Sequence, residues 1–335
     1  MSELSFDVVG AEGPTRFFSS LAQGRLAHAY LFTGHDGVGK RTFADRLAQS
    51  LLCVTPKETL LGYCGTCSGC KMVASGTHPD LFASRGQLKI GDRDAPAGFH
   101  ETDDMTARDL VRQFSLHAYE GGWRIFIFED VEFTREAANA LLAFFEDPPS
   151  NVLLVLTTDA PGKLLDTIRS RLVEVHFPLL SRTNVETILR RKGYTDEKEI
   201  ARAALIAQGS VDRALAALDG ATAEVRDAAI AWFYNVVEGG GVDDSGWAVR
   251  ESLEEGLETV KTLVRDWLVM RVARKEIAPL AADEARTVAK LPKAEPARLA
   301  AALEAIVEAE AIARTNVTPH LVAEYVRMAV ATCVR

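Results

Sequence analysis

The sequence predicts an α/β domain built on a parallel sheet, followed by a second, all-helical half. Three observations carry that reading. Short apolar runs, "AHAYLFTG", "WRIFIFED" and "NVLLVLTTD", alternate with segments of helical periodicity through the first half. Strands buried on both faces of a parallel sheet read as such near-continuous apolar runs. A Gly-rich turn joins the first run to the first helix, and beyond "VHFPLLS" no further buried strand is found. Alternating strands and helices imply a doubly wound domain with ligands at the carboxyl ends of its strands.

Taken in order, "KRTFADRLAQSLLC" places Phe43, Leu47 and Leu51 at helical spacing. "HPDLFAS" reads as a short strand, and "DDMTARDLVRQFSLHAY" as a helix with Met105, Leu110, Val111 and Phe114 on one side. "WRIFIFED" is a strand closed by two acids. "TREAANALLAFFEDPP" is a helix stopped by Pro148 and Pro149, which cannot continue it and disfavour helical geometry in the residue before them. From Ser181 to about Gly220 come short helices, "RTNVETILRRKG", "DEKEIARAALIAQ" and "SVDRALAALDG". The remainder is Ala- and Leu-rich and helical, broken at "EGGGVDDSG" and "AKLPKAEPAR". Internal repeats and low-complexity tracts are absent.

At 335 residues the chain is long enough for two or three domains, each with its own core. A net charge of −9 argues against a large autonomous nucleic-acid surface, because DNA affinity comes mainly from Lys and Arg neutralising phosphates. DNA contact within a larger assembly stays compatible with it. No apolar run approaches a membrane span, and "MSELSFDVVG" has neither the basic start nor the apolar stretch of a signal peptide, so a cytoplasmic protein without membrane contact is expected.

"GHDGVGKRT" carries the phosphate-binding pattern G-x-x-x-x-G-K-[S/T] with one substitution. In that pattern, glycines let backbone N–H groups close around phosphate oxygens at a helix N-terminus, where the helix dipole favours negative charge. Gly34, Gly37 and Gly39 supply the turn, and Lys40 would reach the β- and γ-phosphates. The Ser or Thr that holds Mg²⁺ is replaced by Arg41, which has no acceptor atom. Thr42 follows one residue on, turned by about 100° of helix, which aims its hydroxyl elsewhere. The second nucleotide element, "IFIFED", ends Glu129-Asp130 where related ATPases end Asp-Glu. Asp130 is therefore one methylene short in the water-activating slot, and misplacement of about 1 Å can cost ~100-fold. Read alone, the same acids would be a solvated strand end.

Four of the five cysteines, Cys53, Cys64, Cys67 and Cys70, run C-x10-C-x2-C-x2-C. Two adjacent C-x2-C steps turn three thiolates onto one ion, and Cys53 at the end of the preceding helix supplies a fourth. That is the closed tetrahedral pattern of structural zinc, with no open position for substrate. Reduced thiols, a redox C-x2-C pair and Fe²⁺ are the alternatives. Further on, "LLDTIRSRL" carries Arg169 and Arg171, which alone would read as solvated charges at a helix end.

Laid end to end, "RLAHAYLFTG", "GVGKRT", the four cysteines, "HPD", "ANALLAFFEDPP", "LLDTIRSRL" and "GSVDRAL" make the chain resemble the delta-prime subunits of the bacterial DNA polymerase III clamp loader, within the AAA+ family. The likeness runs from Phe6 to Leu215 and, more weakly, through the C-terminal helices to "RTNVTPHLVAEYV". It implies a P-loop AAA+ domain over residues 1–180 with a zinc module at 53–70. A helical lid at 181–220 and a helical collar at 221–335 that joins subunits into a five-membered ring would follow. Such loaders use ATP to open a sliding clamp and place it on primed DNA. The Ser-Arg motif matching Ser170 and Arg171 projects toward a neighbour's nucleotide in that family, which makes Arg171 the expected arginine finger. Thr157 or Thr158 would be the first sensor. Arg213 matches the lid arginine but lies one residue further from "GS" than in motor subunits, and Leu172 stands where Cys is usual.

Three functions compete at this level. A stator would donate Arg171 to a neighbour and leave its own ATP uncleaved, with ATP or ADP bound or not. An active ATPase motor subunit would need another group in place of the missing hydroxyl. A small-molecule kinase on the same loop would need an acceptor site, whereas the chain after Gly220 offers apolar helical stripes such as "LVAEYVRMAV".

Overall fold

The computed structural model describes residues 4–21, 25–55, 59–91, 104–119, 122–133, 135–241, 243–273, 279–281, 283–313 and 315–334. The chain divides into two compact units, Met1–Asn184 and Val185–Arg335.

In the first unit, α1 (Glu12–Ser19) precedes β1 (Ala29–Thr33), α2 (Lys40–Leu51), α3 (Ser68–Ser75), β2 (Leu81–Gly91), β3 (Asp104–Thr106), α4 (Ala107–Phe114), β4 (Arg124–Phe133), α5 (Arg135–Glu146), β5 (Val152–Thr158), α6 (Asp166–Arg169) and β6 (Val173–His176). The strands form one six-stranded sheet in the order β3-β2-β4-β5-β1-β6, and every pairing is parallel. Successive side chains of a strand point to opposite faces, and the two cores follow from that alternation. Leu31, Phe126, Phe128, Leu154 and Leu156 pack on one face with Phe114, Leu141 and Phe144. Tyr30, Phe32, Ile125, Ile127, Leu153 and Val155 pack on the other with Phe18, Phe43 and Leu47. The unbroken apolar runs are thus strands covered by helices on both sides.

Two details depart from the sequence reading. The helix expected over "DDMTARDLVRQFSLHAY" begins only at Ala107, because the backbone of 104–106 pairs with the β2 edge in register Lys89↔Asp104 to Gly91↔Thr106. Edge hydrogen bonding overrides a helical pattern over three residues. The strand in "WRIFIFED" does not close at its two acids either. β4 runs on to Phe133, with Asp130 at φ +41° marking the point where pairing to β5 stops and Glu132 and Phe133 continue against β2. Asp is among the few non-glycine residues that accept this backbone region.

The second unit is helical: α7 (Arg182–Arg191, which starts at the boundary), α8 (Glu197–Ile206), α9 (Val211–Leu218), α10 (Gly220–Glu238), α11 (Leu253–Val272), α12 (Ala285–Val288), α13 (Pro296–Ala313) and α14 (Pro319–Ala331). Asp196 and Ser210 cap α8 and α9 through side-chain bonds to N–H groups of their first turns. Trp232, Phe233, Trp247 and Trp267 anchor a core with Leu257, Leu263, Leu299, Ile306 and Val326.

Candidate phosphate loop and cysteine cluster

The phosphate loop connects β1 to α2 at the carboxyl end of the sheet. Gly34, Gly37 and Gly39 take φ values of +143°, +74° and +94°, which glycine alone adopts without strain. At Gly34 there is also no room: a Cβ would stand 2.3 Å from the Phe177 carbonyl oxygen. Gly39 is the N-cap of α2 and offers no side-chain cap. The first helical bond runs from Phe43 N to Gly39 O, so the N–H groups of Gly39, Lys40, Arg41 and Thr42 precede it and donate to no described residue. Unpaired N–H groups at a helix start are able to receive an anion.

Lys40 is only 7% exposed, and its ammonium donates to Gly34 O at 2.6 Å, His35 O at 2.9 Å and Asp36 Oδ1 at 3.3 Å. Its three donors are satisfied within the loop. Arg41 is engaged just as fully. Its guanidinium pairs with Asp45 at 2.9 Å and with Glu129 at 3.0 Å, and donates to the Ser84 carbonyl. The residue at the position of the motif's Ser or Thr is therefore tied to the first of the two acids, Glu129 and Asp130, expected to form the second nucleotide element. Glu129 is aligned with Thr157 across β4 and β5, and Phe32 with Thr157 across β1 and β5, so the loop, Glu129 and Thr157 converge at one sheet end. Asp130 lies there too. Partial burial pushes its carboxyl up, a Thr158 hydrogen bond pulls it back, and Asp36 and Asp159 oppose its ionisation. Thr42 is exposed.

Ser170 and Arg171 lie just past α6. The Arg171 guanidinium donates to Thr167 O at 2.9 Å and pairs with Glu146 Oε1 at 3.0 Å, and its side chain is one-third exposed. Ser170 Oγ approaches Thr167 O at 3.4 Å. In the second unit Arg213 pairs with Glu258 at 3.3 Å and Gln208 at 3.2 Å.

The four cysteines come together as the spacing predicts, with all four Sγ atoms within 4.8 Å of one another. Cys53 Sγ stands 3.8 Å from Cys64 and 3.9 Å from Cys67, and Cys64 stands 4.0 Å from Cys70. A tetrahedral ion with metal–sulfur bonds of about 2.3 Å places its ligands about 3.8 Å apart, so the cluster could hold a metal ion. Backbone N–H groups of Cys64, Cys67 and Cys70 point at the Sγ atoms of Cys53, Cys64 and Cys67, at 3.5, 3.4 and 3.4 Å. These bonds favour thiolates. Thr55 and Thr66 hold Cys64 down to about 5, whereas burial and the neighbouring sulfurs push Cys70 up to about 12. A cation among them lets all four ionise. Gly69 is required beside them, since a Cβ would stand 2.2 Å from Leu52 O.

Residues 12–181 match the family model described as DNA polymerase III, delta subunit. The chain belongs to this family. The matched stretch includes the phosphate loop, the four cysteines, Glu129-Asp130 and Ser170-Arg171. Among relatives, the chain is 38% identical over 154 residues to DNA polymerase III subunit delta' of Pseudomonas aeruginosa, covering 46% of this chain and 44% of that one. It is 34% identical over 170 residues to subunit delta' of Bacillus subtilis, covering 50% and 47%. With DNA polymerase III subunit tau of Escherichia coli it shares 32% over 226 residues, covering 65% and 33%. The chain thus spans less than half the length of these relatives. A solved structure from Thermotoga maritima, a DNA polymerase III gamma subunit-related protein, superposes over 97% of this chain and 100% of its own with a TM-score of 0.41 and 14% identity.

Sequence reasoning about this family member missed Asp36, Asp45 and the Ser84 carbonyl, which complete the bonding of Lys40 and Arg41. Both acids lie four residues from their cation on the loop or helix. That i,i+4 spacing was a readable signal. The Ser84 carbonyl comes from a separate strand and left none.

Proposed function

We propose that the chain is a stator subunit of a clamp loader that acts with DNA polymerase III. It donates Arg171 in trans to the ATP site of a neighbouring subunit and does not turn over ATP itself. The observation that carries this reading is the Arg41–Glu129 ion pair, which occupies the two protein positions an ATPase uses to place magnesium. Arg171, by contrast, is one-third exposed on a short turn after α6, its guanidinium held among the described residues by Glu146 and a backbone carbonyl. Releasing it toward a partner's phosphate exchanges one exposed ion pair for another, which costs little. Residues 181–220 then serve as a lid and 221–335 as a collar in a hetero-pentamer, the sliding clamp and primed DNA being reached through the assembly. The Cys53, Cys64, Cys67 and Cys70 cluster holds zinc as a structural ion, because four thiolates suit zinc and close the site to substrate. Among the described residues no helix is long and apolar enough to cross a membrane; a cytoplasmic location belongs to this proposal through the replication role.

An active motor subunit is the second reading, kept open by the intact cradle of Gly34, Gly37 and Gly39. ATP turnover by the reconstituted assembly, with Arg171→Ala in this chain against a control, separates the two. The stator reading expects the variant to slow the assembly and the isolated chain to hydrolyse nothing.

A further inference from the structure

The P-loop fold implies magnesium beside the phosphates, and the residues present do not fit it. The hydroxyl ligand is absent, Arg41 extends from its position, and the guanidinium stands 3.0 Å from the Glu129 carboxylate that would face the ion. A divalent cation placed there would meet a fixed positive charge and would have to displace the ties to Glu129, Asp45 and the Ser84 carbonyl. The anion cradle is nevertheless intact. Gly34, Gly37 and Gly39 hold left-handed geometry, and the N–H groups of Gly39 through Thr42 donate to no described residue.

From this disagreement we infer that Arg41 is a built-in replacement for magnesium, and that the loop takes a nucleoside diphosphate as a metal-free anion. The inference rests on reading the loop as an inherited phosphate cradle. Charge decides the ligand class. Lys40 and Arg41 face the carboxylates of Asp36, Asp45, Glu129 and Asp130, two cations against four anions. An ATPase site offsets that excess with the two charges of Mg²⁺. Arg41 supplies one positive charge where Mg²⁺ supplies two, so the γ-phosphate is offset less, and the diphosphate, with one phosphate fewer, is the better ligand. Lys40 must also exchange its bonds to Gly34 O, His35 O and Asp36 for phosphate oxygens. Binding is correspondingly modest, and specificity lies in its indifference to metal.

The experiment is equilibrium binding of a fluorescent ADP to the full chain, in magnesium and in EDTA, for the native protein, Arg41→Thr and Arg41→Lys. The native protein and Arg41→Lys are expected to bind ADP equally in both buffers, within about twofold, while Arg41→Thr gains at least about tenfold from magnesium. A tenfold gain from magnesium in the native protein overturns the inference, as does its absence in a folded Arg41→Thr. If Arg41→Thr does not fold, the native protein and Arg41→Lys decide the matter. Absence of native binding in both buffers overturns it as well, since Lys40 then closes the loop. That last outcome leaves the stator reading standing, because it is tested at Arg171.

Discussion

Arg41 Nη1 lies 3.0 Å from Glu129 Oε1, joining the first turn of α2 to the end of β4. Both side chains are about three-quarters buried, so the pair sits between a surface ion pair and a buried one. Removing one partner leaves the other with a poorly solvated charge. Arg41→Ala and Glu129→Gln are each expected to lower unfolding stability by about 1–2 kcal/mol. The double variant should lose about 1 kcal/mol less than the sum of the two. Urea unfolding of the four proteins measures this, and strict additivity would mean the pair contributes no coupling.

A metal in the cysteine cluster would couple to folding, because four thiolates crowded within 4.8 Å repel one another without a cation. The isolated chain should carry one equivalent of metal. Cys67→Ser or chelation should remove it and lower the first unit's Tm by about 10 °C. Cys333→Ser is the control. Cys333 is buried in the second unit, its thiol directed at the Arg298 and Ala329 carbonyls, and its loss should leave the metal content unchanged. Elemental analysis and a thermal melt read out both.

His28 gives the first unit a pH dependence of definite sign. Its ring packs against Phe144 and Phe145, Nε2 is buried with no hydrogen-bond partner among the described residues, and burial lowers its pKa from the ordinary 6.5. Above pH 6.5 neither folded nor unfolded chain holds the extra proton, and the group adds no slope. As pH falls below that value, the unfolded chain takes up a proton that the folded imidazole refuses, so stability declines until the folded pKa is passed. His28→Phe should flatten the part of the stability profile that belongs to this ring. Unfolding curves compared at neutral and mildly acidic pH check it, and parallel profiles for the two proteins would assign the slope elsewhere.

The parts legible in the sequence were those set by local pattern. Apolar runs marked β1, β4 and β5, and C-x2-C spacing marked the cysteine cluster, because strand burial and ligand geometry act over a few residues. What could not be read depends on contacts between distant elements. Arg41 and Glu129 are 88 positions apart and meet only because β4 lies near the centre of the sheet, two strands from β1. The sequence showed that Arg41 cannot hold a cation, but not that it holds the acid instead. β3 was hidden for a similar reason, since its three residues become a strand only by pairing with the β2 edge.

The central claim is that this chain's catalytic group serves a neighbour, and steady-state ATP turnover by the reconstituted loader tests it most directly. An arginine finger contributes about 10³–10⁵ in rate at the site it completes. With Arg171→Ala in this chain, hydrolysis at one partner site should collapse, while Glu146→Gln, which frees Arg171 from its ion pair, should leave turnover intact. Unchanged turnover in a fully assembled Arg171→Ala loader would contradict the account.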